Sequence, residues 1–213
     1  MIWGLHGAVG MAEDYWEDFC GVRGIRGVDL WDFLRKGEIS LEEAGARVAK
    51  MAEDGDTLVG YSMGARIALH ALEGRNWERV ILISGHPGLE NEDEKRQRRA
   101  NDQNWAQRVM EGSWEGFLEQ WNGQAILPPV KWGDRKLLEG RREEIARSFR
   151  CWSLGRQQRK EVPGDVEWLV GEWDLKFRRL APAGAVVVPG CGHRVPWEAA
   201  GRWWPEACSQ APR

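Results

Sequence analysis

Ser62 stands in Gly60-Tyr61-Ser62-Met63-Gly64, with the apolar run Thr57-Leu58-Val59 before it and Ala65-Arg66-Ile67-Ala68-Leu69 after it. A G-x-S-x-G turn between a strand and a helix is the sequence form of a nucleophile elbow, which lifts a serine hydroxyl to the top of a sheet. Glycines flank the serine because such a turn is strained and closely packed. The serine also opens a helix, where backbone N–H groups can hold an anion. A serine hydroxyl becomes reactive when a base takes its proton, and a histidine oriented by a third group supplies that base. His193, in Pro189-Gly190-Cys191-Gly192-His193, and Asp174, in Gly171-Glu172-Trp173-Asp174, are the candidates. Of the four histidines, His70 falls inside the helix after Ser62, and His6 and His86 fall in turns. His193 alone joins a final-strand position to a glycine-rich turn that can aim an imidazole. Arg66 lies four residues after Ser62, on the same helix face. A buried guanidinium so near the serine needs an anionic partner. That partner is either a neighbouring Asp or Glu or a carboxylate on a substrate, whose shape a guanidinium fits.

These residues punctuate an alternation of strands and helices. Ile2-Trp3-Gly4-Leu5 reads as a first strand running into the glycine-rich loop His6-Gly7-Ala8-Val9-Gly10. A second short strand falls within Val22 to Leu30, ending at Asp29-Leu30. Leu41 to Ala52 has helical spacing, with Ser40 as N-cap and Glu43 three residues on, a capping box. Thr57 to Tyr61 is the strand before the turn, and Ala65 to Leu72 the helix after it. Val80-Ile81-Leu82-Ile83-Ser84 is continuously apolar, as a strand covered on both faces should be. From Glu90 to about Gln158 no strand pattern occurs, and Arg, Glu and Trp recur at helical spacing. Strands resume at Val166 to Gly171 and Ala185 to Pro189. The alternation implies a mostly parallel α/β sheet of about six strands. Serine, then acid, then histidine, each past the C-terminal end of a strand, is the chain order of an α/β-hydrolase fold. The expected organisation is a core of residues 1–85 and 159–213 with a helical cap, 86–158, inserted over the sheet edge. In such a fold the oxyanion hole falls to the backbone N–H of Met63 and to one from the loop after the first strand, for which Ala8 is the candidate.

A chain of 213 residues, 42% hydrophobic, suits one domain with a sizeable core. A net charge of −3 gives no overall field for nucleic acid or an anionic membrane, so neither is expected as a partner. The four cysteines, Cys20, Cys151, Cys191 and Cys208, have no C-x-x-C spacing. Neither a metal site nor a redox pair is expected, and reduced thiols fit a cytoplasmic protein. The first residues lack a secretory signal, and no apolar run reaches the length of a membrane span. Trp outnumbers Tyr by 14 to 2, which supplies core filler and broad apolar walls for a pocket. Ser209 to Arg213 reads as a frayed end.

Several motifs together are more specific than the serine turn alone. They are Gly60-Tyr61-Ser62-Met63-Gly64-Ala65-Arg66-Ile67-Ala68-Leu69-His70, Ser84-Gly85-His86-Pro87-Gly88-Leu89, Arg98 with Asp102 and Trp105, and Trp121 with Gln124. Ser153-Leu154-Gly155-Arg156-Gln157, Gly171 to Phe177 and Pro189 to His193 complete the set. On these residues the chain resembles the 2-succinyl-6-hydroxy-2,4-cyclohexadiene-1-carboxylate synthase family of menaquinone biosynthesis, over nearly its whole length. The resemblance implies a lyase that eliminates pyruvate from 2-succinyl-5-enolpyruvyl-6-hydroxy-3-cyclohexene-1-carboxylate, a small polycarboxylate, without metal or organic cofactor. His193 and Asp174 would make Ser62 a base, and the oxyanion hole would hold an enolate. Arg66, Arg98, Arg141 (or its neighbour Arg142), Tyr61, Trp121 and His86 would meet the substrate. Arg98 also sits in a basic run, Lys95-Arg96-Gln97-Arg98-Arg99, that suits a solvated helix face equally well, and Trp121 alone suits a core. The chain departs from the family pattern in three places. No edge hairpin precedes the first parallel strand. Asp29-Leu30-Trp31-Asp32 lacks the usual proline-glycine-histidine turn, and Ala65 replaces a common glycine. An exposed sheet edge calls for cover, which a homodimer would supply. Two rivals use the same residues: a serine esterase or thioesterase, and a non-catalytic α/β-hydrolase-like binding protein.

Overall fold

Six short runs rich in Val, Ile and Leu form the strands. They are β1 (Ile2–Leu5), β2 (Ile25–Val28), β3 (Thr57–Tyr61), β4 (Arg79–Ile83), β5 (Glu167–Gly171) and β6 (Val186–Val188). The computed structural model describes residues 1–15, 17–130, 134–202 and 204. Within them the strands make one sheet in the order β2-β1-β3-β4-β5-β6, every neighbouring pair parallel. The helices are α1 (Glu17–Cys20), α2 (Leu41–Met51), α3 (Met63–Ala71), α4 (Glu92–Met110), α5 (Trp114–Asn122), α6 (Arg142–Cys151), α7 (Leu175–Arg178) and α8 (Val195–Glu198).

Past their first residues, Thr57, Arg79 and Glu167, the central strands are apolar because both faces are covered. β3 is buried along its whole length. Alternate side chains feed two cores. Leu58 and Leu82 join Trp3, Leu5 and Trp168 under α2 and α3, while Val59, Ile81 and Ile83 join Tyr61, Leu169 and Trp197 on the other side. The chain runs from β1 out to β2 on one side, then returns to place β3 on the other. The loops after β1 and β3 therefore flank the switch point, where an open α/β sheet has its crevice. Leu5 stands in register with Gly60, so the serine turn and the first glycine-rich loop leave the sheet together.

Element ends follow local hydrogen bonding. β2 stops at Val28 because Asp29 turns away to accept the Trp31 N–H at 3.0 Å, capping a 3₁₀ turn over Leu30–Leu34. Half of the expected capping box forms: Ser40 Oγ accepts the Glu43 N–H at 3.1 Å, while the Glu43 carboxylate pairs with Arg47 instead of returning to Ser40. β6 is only three residues long, with Val186 and Val187 exposed on the sheet edge. Cys20, Cys151 and Cys191 are free thiols. The expectations for Cys208 and for Ser209–Arg213 lie outside the described residues. Among the described residues no helix is long and apolar enough to cross a membrane.

Between β4 and β5 the described residues contain three long helices, α4, α5 and α6, and no strand. Asn91 caps α4 by accepting from the N–H groups of Asp93 and Glu94, and three acids in its first turn complement the helix dipole. A buried ion pair fastens this segment to the loop after β1. Arg135 donates to Asp14 Oδ1 at 2.6 Å, Asp14 Oδ2 accepts the Met11 N–H at 2.9 Å, and the Arg135 carbonyl accepts from Trp114 Nε1 at 2.8 Å. Removing one member of a buried pair strands the other charge, at a cost of about 3–5 kcal/mol. Arg135→Met should lose about that much stability in urea unfolding. Adding Asp14→Asn, which still accepts from Met11, should recover more than half of the loss. A double variant no more stable than the single one would contradict this account.

Candidate active site

Ser62 sits at φ 52°, ψ −106°, a conformation that side chains rarely adopt. Such a residue persists only when its surroundings over-determine it, at a cost of about 1–3 kcal/mol. Here its N–H donates to the Ile83 carbonyl at 2.8 Å. The next turn is pinned at Gly64, where an added Cβ would lie 2.1 Å from the Leu5 carbonyl oxygen. α3 therefore rests its first turn directly on the end of β1.

Three strand ends converge on this serine. His193 follows β6, and Ser62 Oγ lies 3.0 Å from its Nε2. Asp174 follows β5, and its Oδ2 lies 2.6 Å from His193 Nδ1. A carboxylate can only accept, so Nδ1 carries the imidazole proton and Nε2 is free to accept from the serine. The ring is held between Tyr61, 5.6 Å away, and Phe177, 4.4 Å away, measured between ring centres. Its loop is held by Glu198, which accepts the N–H groups of Gly192 and Arg194 at 2.8 Å each. It also presses on β5, since a Cβ at Gly171 would lie 2.0 Å from the Gly192 carbonyl oxygen. Asp174 is fixed as the cap of α7, accepting the Phe177 N–H at 3.4 Å.

The loop after β1 closes the opposite side. The Gly10 N–H donates to the Gly7 carbonyl at 3.0 Å, and Val9 between them turns at φ 55°. His6 is wholly buried beneath the loop. Its Nδ1 donates to the Gly7 carbonyl at 2.9 Å and its Nε2 accepts the Leu30 N–H at 3.1 Å. Burial, assisted by the Arg135 charge, holds His6 at about 3, so it stays neutral. Ala8 and Met63 both line the cavity onto which Ser62 opens, a space of about 200 Å³.

Among the described residues four cations line this cavity, Arg66, Arg98, Lys176 and Arg194, against one carboxylate, Asp102. Arg98 Nε donates to both Asp102 oxygens, at 2.8 and 2.9 Å. Arg194 is tied to the Pro128 carbonyl and Asn122 Oδ1. Arg66 donates to Gln157 Oε1 at 3.2 Å and to the Trp152 carbonyl at 2.8 Å, and among the described residues no carboxylate pairs with it. Burial first, and Arg98 second, push its guanidinium down to about 9, which still leaves it charged at neutral pH. Burial and Arg98 also lower the Lys176 ammonium. Tyr61, His86 and Trp121 complete the wall. His86 Nδ1 accepts the Gly88 N–H at 3.0 Å, and burial with the cations around it lowers it to about 3. Trp121 packs edge-on against Trp105, 5.1 Å between ring centres.

The model of the alpha/beta hydrolase family matches residues 12–204. The chain belongs to the α/β-hydrolase family. Within that family it falls among the 2-succinyl-6-hydroxy-2,4-cyclohexadiene-1-carboxylate synthases. It is 30% identical over 205 residues to the one from Pectobacterium atrosepticum, covering 83% of this chain and 79% of that relative. It is 32% identical over 154 residues to the putative one from Haemophilus influenzae, covering 64% and 62%. Among solved structures it is similar to that of MenH from S. aureus, with 21% identity, a TM-score of 0.71, and coverage of 94% of this chain and 89% of that one. A thermophilic esterase from Thermogutta terrifontis follows the same course at 19% identity and a TM-score of 0.62, over 94% and 85%. At these identities the structural likeness bears on the fold alone.

Against this α/β-hydrolase frame, one sequence expectation is corrected. Arg141 does not line the cavity. Its guanidinium is engaged by Asp29 and Asp32, at 2.9 Å each, and approaches Glu144, so it braces the turn after β2. Arg142 is no substitute, since it donates to the carbonyls of Val109 and Gly112. Arg98, which also suited a solvated helix face, lines the cavity, whereas its neighbour Arg96 pairs with Asp93 in the open. Sequence reasoning gave no role to Lys176, two residues past Asp174, to Gln157, or to Glu198. The first two stand inside motifs it quoted, and Glu198 had no local signal, because it is the fold that turns α8 back onto the histidine loop.

His6 and His86, both held near 3, give a signed pH dependence. The unfolded chain binds a proton at each near pH 6.5, the folded one only near 3, so stability falls as pH drops below 6.5. Between pH 7 and 5 each contributes a loss of about 2 kcal/mol. His86→Asn, whose amide oxygen can still accept from Gly88, should remove about half of the combined loss when urea midpoints are compared at the two pH values. An unchanged pH slope would show that His86 is not the proton acceptor.

Proposed function

We propose that this α/β-hydrolase is a lyase that eliminates pyruvate from 2-succinyl-5-enolpyruvyl-6-hydroxy-3-cyclohexene-1-carboxylate, giving 2-succinyl-6-hydroxy-2,4-cyclohexadiene-1-carboxylate in menaquinone biosynthesis. The observation that carries the reading is a serine–histidine–aspartate chain opening on a cavity whose Arg66 charge has no carboxylate partner among the described residues. A hydrolase of neutral esters has no use for that charge, whereas a substrate with three carboxylates does. In this reading the enzyme is cytoplasmic and works with amino-acid side chains alone.

His193 Nε2 takes the Ser62 proton, and the imidazolium that forms is stabilised by Asp174. The Ser62 alkoxide then removes the proton on the ring carbon next to the succinyl ketone. Charge builds on the ketone oxygen, where the N–H groups of Met63 and Ala8 meet it; donors placed for charge that develops only during reaction lower the barrier most. When the enolate collapses, its electron pair moves through the ring double bond and breaks the carbon–oxygen bond to the enolpyruvyl group. The ring becomes the conjugated diene, and the departing enolate takes up a proton to become pyruvate. Arg66 and Arg98 grip carboxylates, with Tyr61, Trp121 and His86 forming the walls, so the acidic proton stands over Ser62.

Supplying this substrate and following pyruvate release and diene absorbance tests the reading, with a neutral nitrophenyl ester run in parallel. Ser62→Ala should lower pyruvate release by at least about a thousandfold. Arg66→Ala should lower kcat/KM by about a hundredfold, roughly 3 kcal/mol of transition-state binding, while the ester is turned over no more slowly. Ester turnover without pyruvate release would make the protein an esterase. Inertness toward both would favour a binding protein.

A further inference from the structure

Two of the three guanidiniums on the cavity wall, Arg98 and Arg66, are neutralised differently. Arg98 faces Asp102, a carboxylate. Arg66 faces Gln157, an amide, and a backbone carbonyl. Gln157 is 1% exposed and does not itself line the cavity. Its orientation is fixed from behind, because Nε2 donates to the His86 carbonyl at 3.2 Å and leaves Oε1 to face Arg66. A carboxylate at this position would make the stronger, charge-assisted bond and give the buried guanidinium a counter-ion. The amide forgoes both. In return Arg66 is aimed while its charge and remaining N–H donors stay unspent. The His86 carbonyl reinforces the choice, since it requires a donor and would stand against an ionised glutamate lone pair to lone pair.

We propose that Gln157 is a specificity-determining residue, orienting Arg66 without neutralising it so that the counter-ion of Arg66 is a carboxylate of the ligand. This rests on the reading of the cavity as a polycarboxylate site, and it is tested by binding rather than by turnover alone. Succinate serves as the probe, titrated calorimetrically into the wild-type chain, Gln157→Glu and Gln157→Met, with thermal melts to confirm folding. Gln157→Glu installs an internal counter-ion and should raise the Kd at least tenfold. It should also raise KM for the enolpyruvyl substrate while kcat changes by less than threefold. Gln157→Met, of similar length and uncharged, gives up the aim but installs no counter-ion, so it should lose clearly less than the glutamate variant. A glutamate variant that binds succinate as well as wild type overturns the proposal. So does a methionine variant that loses as much as the glutamate one, because the effect would then be packing and not charge. A wild-type chain that takes up no succinate overturns it too. Should the glutamate variant fail to melt cooperatively, Gln157→Asp carries the same charge into the same wall and is judged by the same criteria. Pyruvate release is scored separately. The expected binding pattern without pyruvate release removes the lyase and leaves the inference standing, whereas pyruvate release with no loss of binding in the glutamate variant removes the inference alone.

Discussion

Where the first turn of α3 passes the end of β1, a methyl group on residue 64 would lie 2.1 Å from the Leu5 carbonyl oxygen. No side chain fits there, and that absence sets the rest of the geometry. It lets the helix N-terminus come down onto the switch point of the sheet, between β1 and β3. Ser62, one step before the helix, must then turn through φ 52° to connect strand and helix, and its hydroxyl is thrust upward as a result. The loops from β1, β5 and β6 reach the same spot because all six strands point the same way. In a parallel sheet every C-terminal end lies on one edge, so residues more than a hundred positions apart meet without any long excursion of the chain.

The electrostatics above that turn are deliberate in their economy. Nearly every carboxylate near the site is already committed. Asp174 accepts from His193, Glu198 from two amides of the histidine loop, Glu172 from the Gly190 N–H, and Asp102 from Arg98. On the cavity wall itself, among the described residues, four cations face the single carboxylate of Asp102. Burial strengthens this imbalance at Arg66, which is 8% exposed, because a charge acts more strongly where the dielectric is low. The result is a small space that favours negative charge beside a hydroxyl whose proton has somewhere to go.

Much of this was legible from the sequence, for identifiable reasons. β1, β3 and β4 read correctly because a strand covered on both faces is apolar along most of its length. The serine, acid and histidine were found because each follows such a run within a few residues, and the fold carries them together. Arg141 was misread because its partners Asp29 and Asp32 lie more than a hundred residues earlier. Such pairing is tertiary and leaves no local trace. β2 came out shorter than read because the Asp29 side chain competes for the backbone. Gln157 escaped notice for a different reason: a search for chemistry looks for charge, and its part is to lack one.

Three guanidiniums cross from the sheet to the helices that lie between β4 and β5. Arg66 reaches from α3 to the Trp152 carbonyl, Arg194 from the histidine loop to Pro128 and Asn122, and Arg135 from the helical side back to Asp14. Each loses its partner across the boundary if the two parts separate, and each sits at a different point of that boundary. Lifting the helices away as a unit therefore breaks all three anchors together, the buried Arg135–Asp14 pair among them. The helical segment is thus tied to the sheet through three separate charged anchors as well as through the apolar core they share.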